Sequence, residues 1–425
     1  MIRWKKNTIL TFISFCLPYL ITAQSYKEGG KTRYRFAQTA IGLEYKFSPS
    51  TGRSFLFSED NSLRAYAFNE KVSPVLMLAG THFWGHAIFF TGITLTNHKL
   101  GERTEDYNFR RTGGTGFKIF PLPIEYGKLR PYVGSAISGF SFRQENAAEL
   151  IRREYPLLFG LTYASELGLF ELGAHYYIRN KYHYYTSPAQ QIEVKIPDLT
   201  ISLKYKYLFD FTLMSEVNDR IGKTKRNFDK LKENKKLNSY SLAVGVTNAY
   251  FLGSSSYNSG HKPYLDDYKI TKIYPDITVG YYHFNSNLQG NIAFRSYRTG
   301  LEAFDEKQQI SRTNISLELY KFAGDYHGFT PFFGLTANAE FLSAEHRIKN
   351  ETKFKSERRL IRPGFIAGWD IRPTKIDWWV MRTNIRFNPF LQIEAPEQSS
   401  INLNQLELTF LQLVVYPNRL MALNK

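Results

Sequence analysis

Along most of this chain apolar and polar residues alternate one for one. Between 169 and 179 one set is Phe170, Leu172, Ala174, Tyr176 and Ile178. The other is Glu171, Gly173, His175, Tyr177 and Arg179. The same rhythm sets Phe333, Leu335, Ala337, Ala339 and Phe341 against Gly334, Thr336, Asn338 and Glu340. It also sets Ile315, Leu317 and Leu319 against Asn314, Ser316, Glu318 and Tyr320. A period of two is the signature of a β-strand. It predicts strands over 33–47, 73–84, 86–96, 113–122, 130–142, 155–166, 169–179 and 197–210. A second set follows over 238–250, 270–284, 288–298, 309–322, 330–342, 360–371, 377–389 and 402–416.

The less greasy face decides what these strands face. It carries Gly, Ser, Thr and Asn with scattered Glu, Lys and Arg, as expected of a hydrophilic lumen behind a lipid-facing wall. The connections alternate too. Those at 85, 121–128, 167–168, 285–287, 323–329 and 372–376 are short. Those at 48–72, 97–112, 143–154, 180–196, 251–269, 299–308, 343–359 and 390–401 are longer and polar. Short turns on one side and long loops on the other give the sidedness of a transmembrane up-and-down β-barrel, with both termini on the short-turn side. Such a sheet must close, because an open edge in hydrocarbon would leave backbone groups unpaired.

The two sets of strands echo each other. Residues 40–43 (Ala-Ile-Gly-Leu) match 243–246 (Ala-Val-Gly-Val), Arg111-Thr112 matches Arg312-Thr313, and Pro131 and Gly134 match Pro331 and Gly334. The unit is far too long for a solenoid repeat and reads as a duplicated set of eight strands. The expected organisation is a leader at 1–23, a first eight-strand half at 24–210, a basic periplasmic linker at 211–237 that is either a solvated connection or an amphipathic helix, and a second half at 238–425. One sixteen-stranded barrel is the preferred closure, because the eighth and ninth strands then pair locally. The alternative is two tandem eight-stranded barrels, which the length of the linker favours. Eight strands leave room only for side chains, whereas sixteen leave an aqueous channel unless plugged.

Three stretches carry a family likeness: 130–139 (Arg-Pro-Tyr-Val-Gly-Ser-Ala-Ile-Ser-Gly), 330–339 (Thr-Pro-Phe-Phe-Gly-Leu-Thr-Ala-Asn-Ala) and the closing strand at 406–416. On these, both halves resemble the eight-stranded outer-membrane β-barrel domains of Gram-negative bacteria. The resemblance implies an all-β fold in the outer membrane. Members of such families often end on an aromatic residue; here Tyr416 is followed by a tail, 417–425.

The ends and totals agree with export. Met-Ile-Arg-Trp-Lys-Lys precedes an apolar run at 9–20 and then Ala23, the pattern of a cleavable secretory signal. No other run approaches the length of a membrane-spanning helix. Cys16 lies within the leader, so the exported chain would hold neither disulfide nor thiol ligand. Aromatics make up 16% of residues although mean hydropathy is −0.36. That combination suits a barrel with a polar inside. The net charge of +17 suits an anionic lipid or lipopolysaccharide surface; nucleic acid is not an expected partner of an exported barrel.

Candidate chemistry is sparse. Gly-x-Ser-x-Gly, His-Glu-x-x-His and a phosphate-binding loop are all absent. The charges expected to face the lumen are Glu171, His175, Arg179, Lys204, Lys206, Glu318, Glu340, Arg382 and Arg386. Glu44, Lys46, Lys118, Glu166, Arg295 and Asp370 are expected there too. His175 with Glu171 and a serine is the one conceivable hydrolytic set. Asp266-Asp267 and Glu302/Asp305/Glu306 are acidic but lack the spacing of a calcium loop. The aromatic run at 175–185 reads as a membrane-interface girdle, or as a ligand surface through Tyr182, Tyr184 and Tyr185. These features together predict a non-enzymatic outer-membrane barrel without cofactor or metal, serving as a structural or accessory subunit of an assembly with protein partners. The alternatives are a porin-like diffusion channel and a barrel enzyme acting on lipid or lipopolysaccharide.

Overall fold

The structure, a computed structural model, describes residues 26–28, 31–33, 38–57, 63–68, 70–96, 107–144, 147–209, 213–214, 217–324, 329–349, 351–372 and 374–424. The leader expected at 1–23 lies outside them.

Where the sequence alternates, the backbone is extended and paired antiparallel with the next strand. The first half contributes β1 (Gln38–Ser48), β2 (Lys71–His82), β3 (Ala87–Thr94), β4 (Gly114–Ile119), β5 (Leu129–Gln144), β6 (Leu157–Ser165), β7 (Gly168–Tyr176) and β8 (Leu199–Phe209). Consecutive strands pair throughout, and β8 returns to β1 with Leu208 opposite Ala40. A helix, α1 (Val217–Glu233), leads to the second half. That half contains β9 (Ser239–Phe251), β10 (Tyr274–His283), β11 (Leu288–Ala303), β12 (Glu306–Phe322), β13 (Phe329–Ile348), β14 (Glu351–Ile371), β15 (Trp379–Asn388) and β16 (Gln405–Val415). These close as a barrel in which Val414 stands opposite Ala243. The chain ends on α2 (Pro417–Asn424).

The chain therefore forms one closed eight-stranded barrel and a second eight-stranded ring, not the single sixteen-stranded cylinder preferred from the sequence. The reason is local. β8 and β9 are separated by a helix rather than a tight turn, so each finds its ladder partner at the far end of its own half.

Side chains sort by face. Leu317 is 61% exposed while its neighbour Glu318 is fully buried. Around both rings Leu203, Val133, Val244, Val279, Ile292 and Leu335 face outward, while Glu171, Lys204, Arg295 and Arg386 face inward. This inverts the soluble arrangement and matches a hydrocarbon surround. Farther along the same strands the sorting reverses. On β11 the outward residues Ile292 and Phe294 give way to Arg298 and Glu302, while the inward side changes from Arg295 to Leu301 and Ala303. On β13 the outward Phe341 is followed by Ser343, Glu345 and Arg347, and the inward Glu340 by Leu342 and Ala344. The faces are unchanged, so the surrounding solvent must change there from lipid to water. This crossing marks the edge of the apolar belt on the long-loop side.

Beyond the belt the expected loops 299–308 and 343–359 are instead the tips of β11–β12 and β13–β14, paired to the hairpin ends. Their outer face is charged, so a search for apolar alternation stops short of them. Two of the other long connections fold into small hairpins, Lys181–Ser187 with Gln190–Lys195 and Gln392–Ala395 with Ser399–Asn402.

Candidate functional site

The interior of the second ring is crossed by ion pairs. Arg312 on β12 grips Glu340 on β13 through Nε and Nη2 at 2.7 and 2.6 Å, and also pairs with Glu407 on β16, diametrically opposite. Arg295 pairs with Glu407 at 3.2 Å and donates to Glu318 at 3.2 Å. Arg386 on β15 bridges Asp276 at 2.9 Å and Glu318 at 2.7 Å, and Arg382 holds Asp370 bidentately at 2.6 and 2.9 Å. Tyr274, Asn291, Asn314 and Asn388 fill the remaining hydrogen-bonding positions. Unpaired charge is very costly in such a place, and here each guanidinium has carboxylates. Of the predicted lumen charges, Glu318, Glu340, Arg382 and Arg386 all belong to this network. At this level the groups meet across the full width of the ring and are buried.

The first ring is filled differently. Glu171 lies between Lys118 and Lys206, and Glu44 between Lys204 at 2.9 Å and His175 at 3.1 Å. Tyr132 lies along the inner wall, over its ladder partner Gly160 and the next strand's Gly173, where a Cβ at either position would run into its hydroxyl. The Lys118 ammonium sits 4.5 Å from the Tyr132 ring centre. His175 also touches Ser202 at 3.4 Å, but Glu44 and Ser202 both contact the same nitrogen, Nε2. A relay needs the acid on one ring nitrogen and the hydroxyl on the other. His175 is buried as well, and Glu171 is held by Lys118 and Lys206 while Glu44 takes its place at His175, so the hydrolytic set suggested by the sequence lacks both geometry and access.

Two expectations for the lumen fail. Arg179 lies beyond the end of β7, exposed, with its guanidinium 5.2 Å from the Tyr182 ring. Glu166 is exposed in the β6–β7 turn. Both continue the alternation on paper after the strand has stopped.

Above the belt the long connections of both rings merge into one hydrophobic cluster. Phe140, Phe142, Tyr182, Tyr184 and Val194 from the first half share it with Phe251, Tyr268, Tyr297, Leu391 and Ile401 from the second. Tyr182 and Tyr184 are thus core residues rather than a girdle or ligand surface. Tyr182 packs on Phe140, and the Tyr184 hydroxyl accepts from the Gln144 backbone at 2.9 Å. Tyr185 is half-buried, its ring centre 6.5 Å from that of Tyr264 in the other half. The dome is tied further by Arg152 with Asp266, Arg143 with Glu302 at 3.3 Å, and the Glu149 N–H to the Glu302 carbonyl at 3.2 Å. Nothing in the alternation signalled these ties.

Of the acidic residues considered for calcium, Asp266, Asp267, Glu302 and Glu306 are engaged. Asp267 accepts from the Ser255 backbone, Glu302 from Lys307 at 2.6 Å, and Glu306 from Lys262 and Tyr264. Among the described residues no group of three His, Cys, Asp or Glu is arranged to hold a metal. A polar cavity of about 460 Å³ opens beside Arg143, Glu302, Asp305, Glu306 and Lys349. Burial pushes the carboxyl pKa of Glu149, on the 147–149 connection, above its ordinary value.

On the short-turn side α1 and α2 lie under the second ring. Leu231 and Phe228 pack with Ala422, Leu423, Ile376 and Phe284. Arg419 is buried here, donating to the carbonyls of Lys375, Asp377 and Leu237 and stacking 4.4 Å from the Tyr416 ring centre. The outer walls of the two rings also meet, with Phe89 against Trp369 at 5.5 Å and Phe83 against Phe329 at 5.7 Å.

No protein-family model matches the chain, and no curated protein sequence does. Solved structures with a similar course include Neisserial surface protein A (15% identity, TM-score 0.30, 42% of this chain and 98% of that one). The outer membrane protein OprG of Pseudomonas aeruginosa is similar at 10% identity and TM-score 0.28, over 42% and 96%. The COG4313 outer membrane channel of Pseudomonas putida F1 is similar at 9% identity and TM-score 0.23, over 90% and 97%.

Proposed function

We propose that this chain is an integral outer-membrane protein that works through its surfaces, as a structural or accessory subunit of an outer-membrane assembly. One observation carries the reading: Arg312 and Glu407 meet across the middle of the second ring, and side chains equally fill the first. A filled barrel anchors; it does not conduct. The apolar belt on both rings supports membrane insertion, and the long-loop side would then face outward with the termini in the periplasm. The leader at 1–23 would direct export, and the basic segment 211–237 would lie in the periplasm under the second ring.

Tandem anchors joined by a common dome give a broad, rigid outer surface, which suits docking of protein partners and contact with lipid and lipopolysaccharide. Ala40 and Ala243 occupy equivalent places, opposite Leu208 and Val414, which supports descent from one duplicated eight-strand unit. Mild-detergent isolation of the tagged full-length protein tests the reading. Stoichiometric outer-membrane partners are expected; repeated recovery of the chain alone would count against the assembly role.

A further inference from the structure

β14 keeps its ladder with β13 from Ile371 to Glu351, but its other edge pairs with β15 only from Ile371 to Phe365. Among the described residues that edge has no ladder partner from Gly364 onward, although Gln392–Ala395 packs beside part of it. β15 ends at Asn388, and the chain then turns into the dome, where Leu391, Ile393, Ile401 and Leu403 are buried. The result is a notch in the wall of the second ring. It begins where the outward residues change from Phe365 and Ile361 to Arg359 and Glu357, which is the level of the belt's upper edge.

Three arginines border the notch, Arg359 on the outward face and Arg358 and Arg362 on the alternate, less exposed face. Arg359 lies outward, its guanidinium 6.0 Å from the Phe341 ring centre. Arg358 donates to the Gln392 carbonyl at 3.0 Å. Arg362 has a buried Nε without a hydrogen-bond partner. Among the described residues none of the three has a carboxylate within ion-pairing distance, whereas nearby Arg347, Lys353 and Lys355 pair with Glu345, Glu351 and Glu357. Large apolar residues flank them: Ile361 is 75% exposed and Phe390, just past β15, is 67% exposed.

We infer that this notch binds a phosphorylated glycolipid of the outer leaflet. The inference rests on the outer-membrane reading and assigns its lipid contact to a place. Guanidinium groups match phosphate geometry and charge. Ile361, Phe365 and Phe387 offer a wall for acyl chains. The open strand edge offers backbone donors and acceptors to a hydroxyl-rich headgroup, at a height where bare hydrocarbon would leave them unsatisfied. A protein strand is the poorer occupant. Pro363 on that edge has no N–H to give, and Lys353 and Lys355 guard its continuation.

The test uses full-length protein in nanodiscs, with lipopolysaccharide and its chemically dephosphorylated form as probes and bound lipid read by native mass spectrometry. The intact form should bind, and dephosphorylation or the triple variant R358Q/R359Q/R362Q should weaken binding at least about tenfold, the scale of lost charge-assisted hydrogen bonds. The R358K/R359K/R362K variant should retain part of the binding, and Arg347→Gln all of it. Heat-modifiable migration of every variant establishes that the barrel has folded. Equal binding by wild type and the glutamine triple variant would overturn the inference, as would full displacement by millimolar inorganic phosphate. If the protein does not fractionate with outer membranes, the outer-membrane reading itself fails. If it does and the triple variant binds normally, only the notch assignment fails.

Discussion

Glu407 illustrates how single residues hold this fold. It stands between Arg295 and Arg312 and accepts from Tyr274 at 2.8 Å and Asn388 at 3.0 Å. Truncation to alanine removes one carboxylate from two buried guanidiniums, leaving Arg312 with Glu340 and Arg295 with Glu318, and removal of one partner from a buried ion pair costs about 3–5 kcal/mol. Urea unfolding of refolded Glu407→Ala should show a loss of that size, while Glu345→Ala, on the water-facing tip of β13, should unfold like wild type. Glu149 makes a pH-dependent prediction. Its carboxyl pKa is raised by burial, so the folded dome favours the protonated form. That contribution is complete below the ordinary glutamate range and is lost as pH rises through the raised value. Glu149→Gln should therefore resist proteolysis of the dome better than wild type at neutral pH, with the advantage fading on acidification. An advantage independent of pH would contradict the assignment.

The change of polarity along β11, β12 and β13 is a property of elements. Within the belt an outward Leu317 meets hydrocarbon; a few residues on, an outward Lys307 meets water. Leu317→Arg should then destabilise the lipid-embedded protein by about 2–4 kcal/mol, the cost of a basic side chain near a bilayer midplane. An arginine at Gln309, on the same face above the belt, should be tolerated. Equal effects at the two sites, measured by chemical unfolding in lipid vesicles, would argue against a hydrocarbon surround. Strand positions were legible in the sequence for the same reason: alternation of Ile315, Leu317 and Leu319 with polar neighbours depends only on the two-sided environment of a strand. The extensions at 299–308 and 343–359 were not legible as strands, because their outward residues are charged and their inward ones alternate too briefly. Arg179 failed in the opposite sense, since alternation ran on where the hydrogen-bond ladder had ended.

At the scale of the molecule, two filled rings share one dome and touch along their walls. Ion pairs that span the second ring predict no steady conductance in planar bilayers, and a reproducible open level would refute the sealed interior. The dome should also couple the halves. Arg152→Glu, which sets like charges against Asp266, should make the dome more accessible to protease in both halves, not in the first alone. The candidate site was only partly visible beforehand. Charges such as Glu318 and Arg386 could be placed on an inward face, but not matched across the ring, because strands several positions apart in the barrel have no local relation in sequence. Tyr182 and Tyr184 looked like surface aromatics because the core they enter is built largely from residues of the other half.

What the chain alone determined is the all-β character, the two faces of each strand and the short-and-long rhythm of its connections. Each follows from neighbours in sequence and from the twofold period of an extended backbone. Closure was decided only in three dimensions. Pairing β8 with β1 rather than β9 depends on where a helix places two ends that sequence separates, and hydrogen-bond ladders accept either partner. The sealed interiors, the common dome and the arginine notch were decided there too, because each is a meeting of residues far apart in the chain.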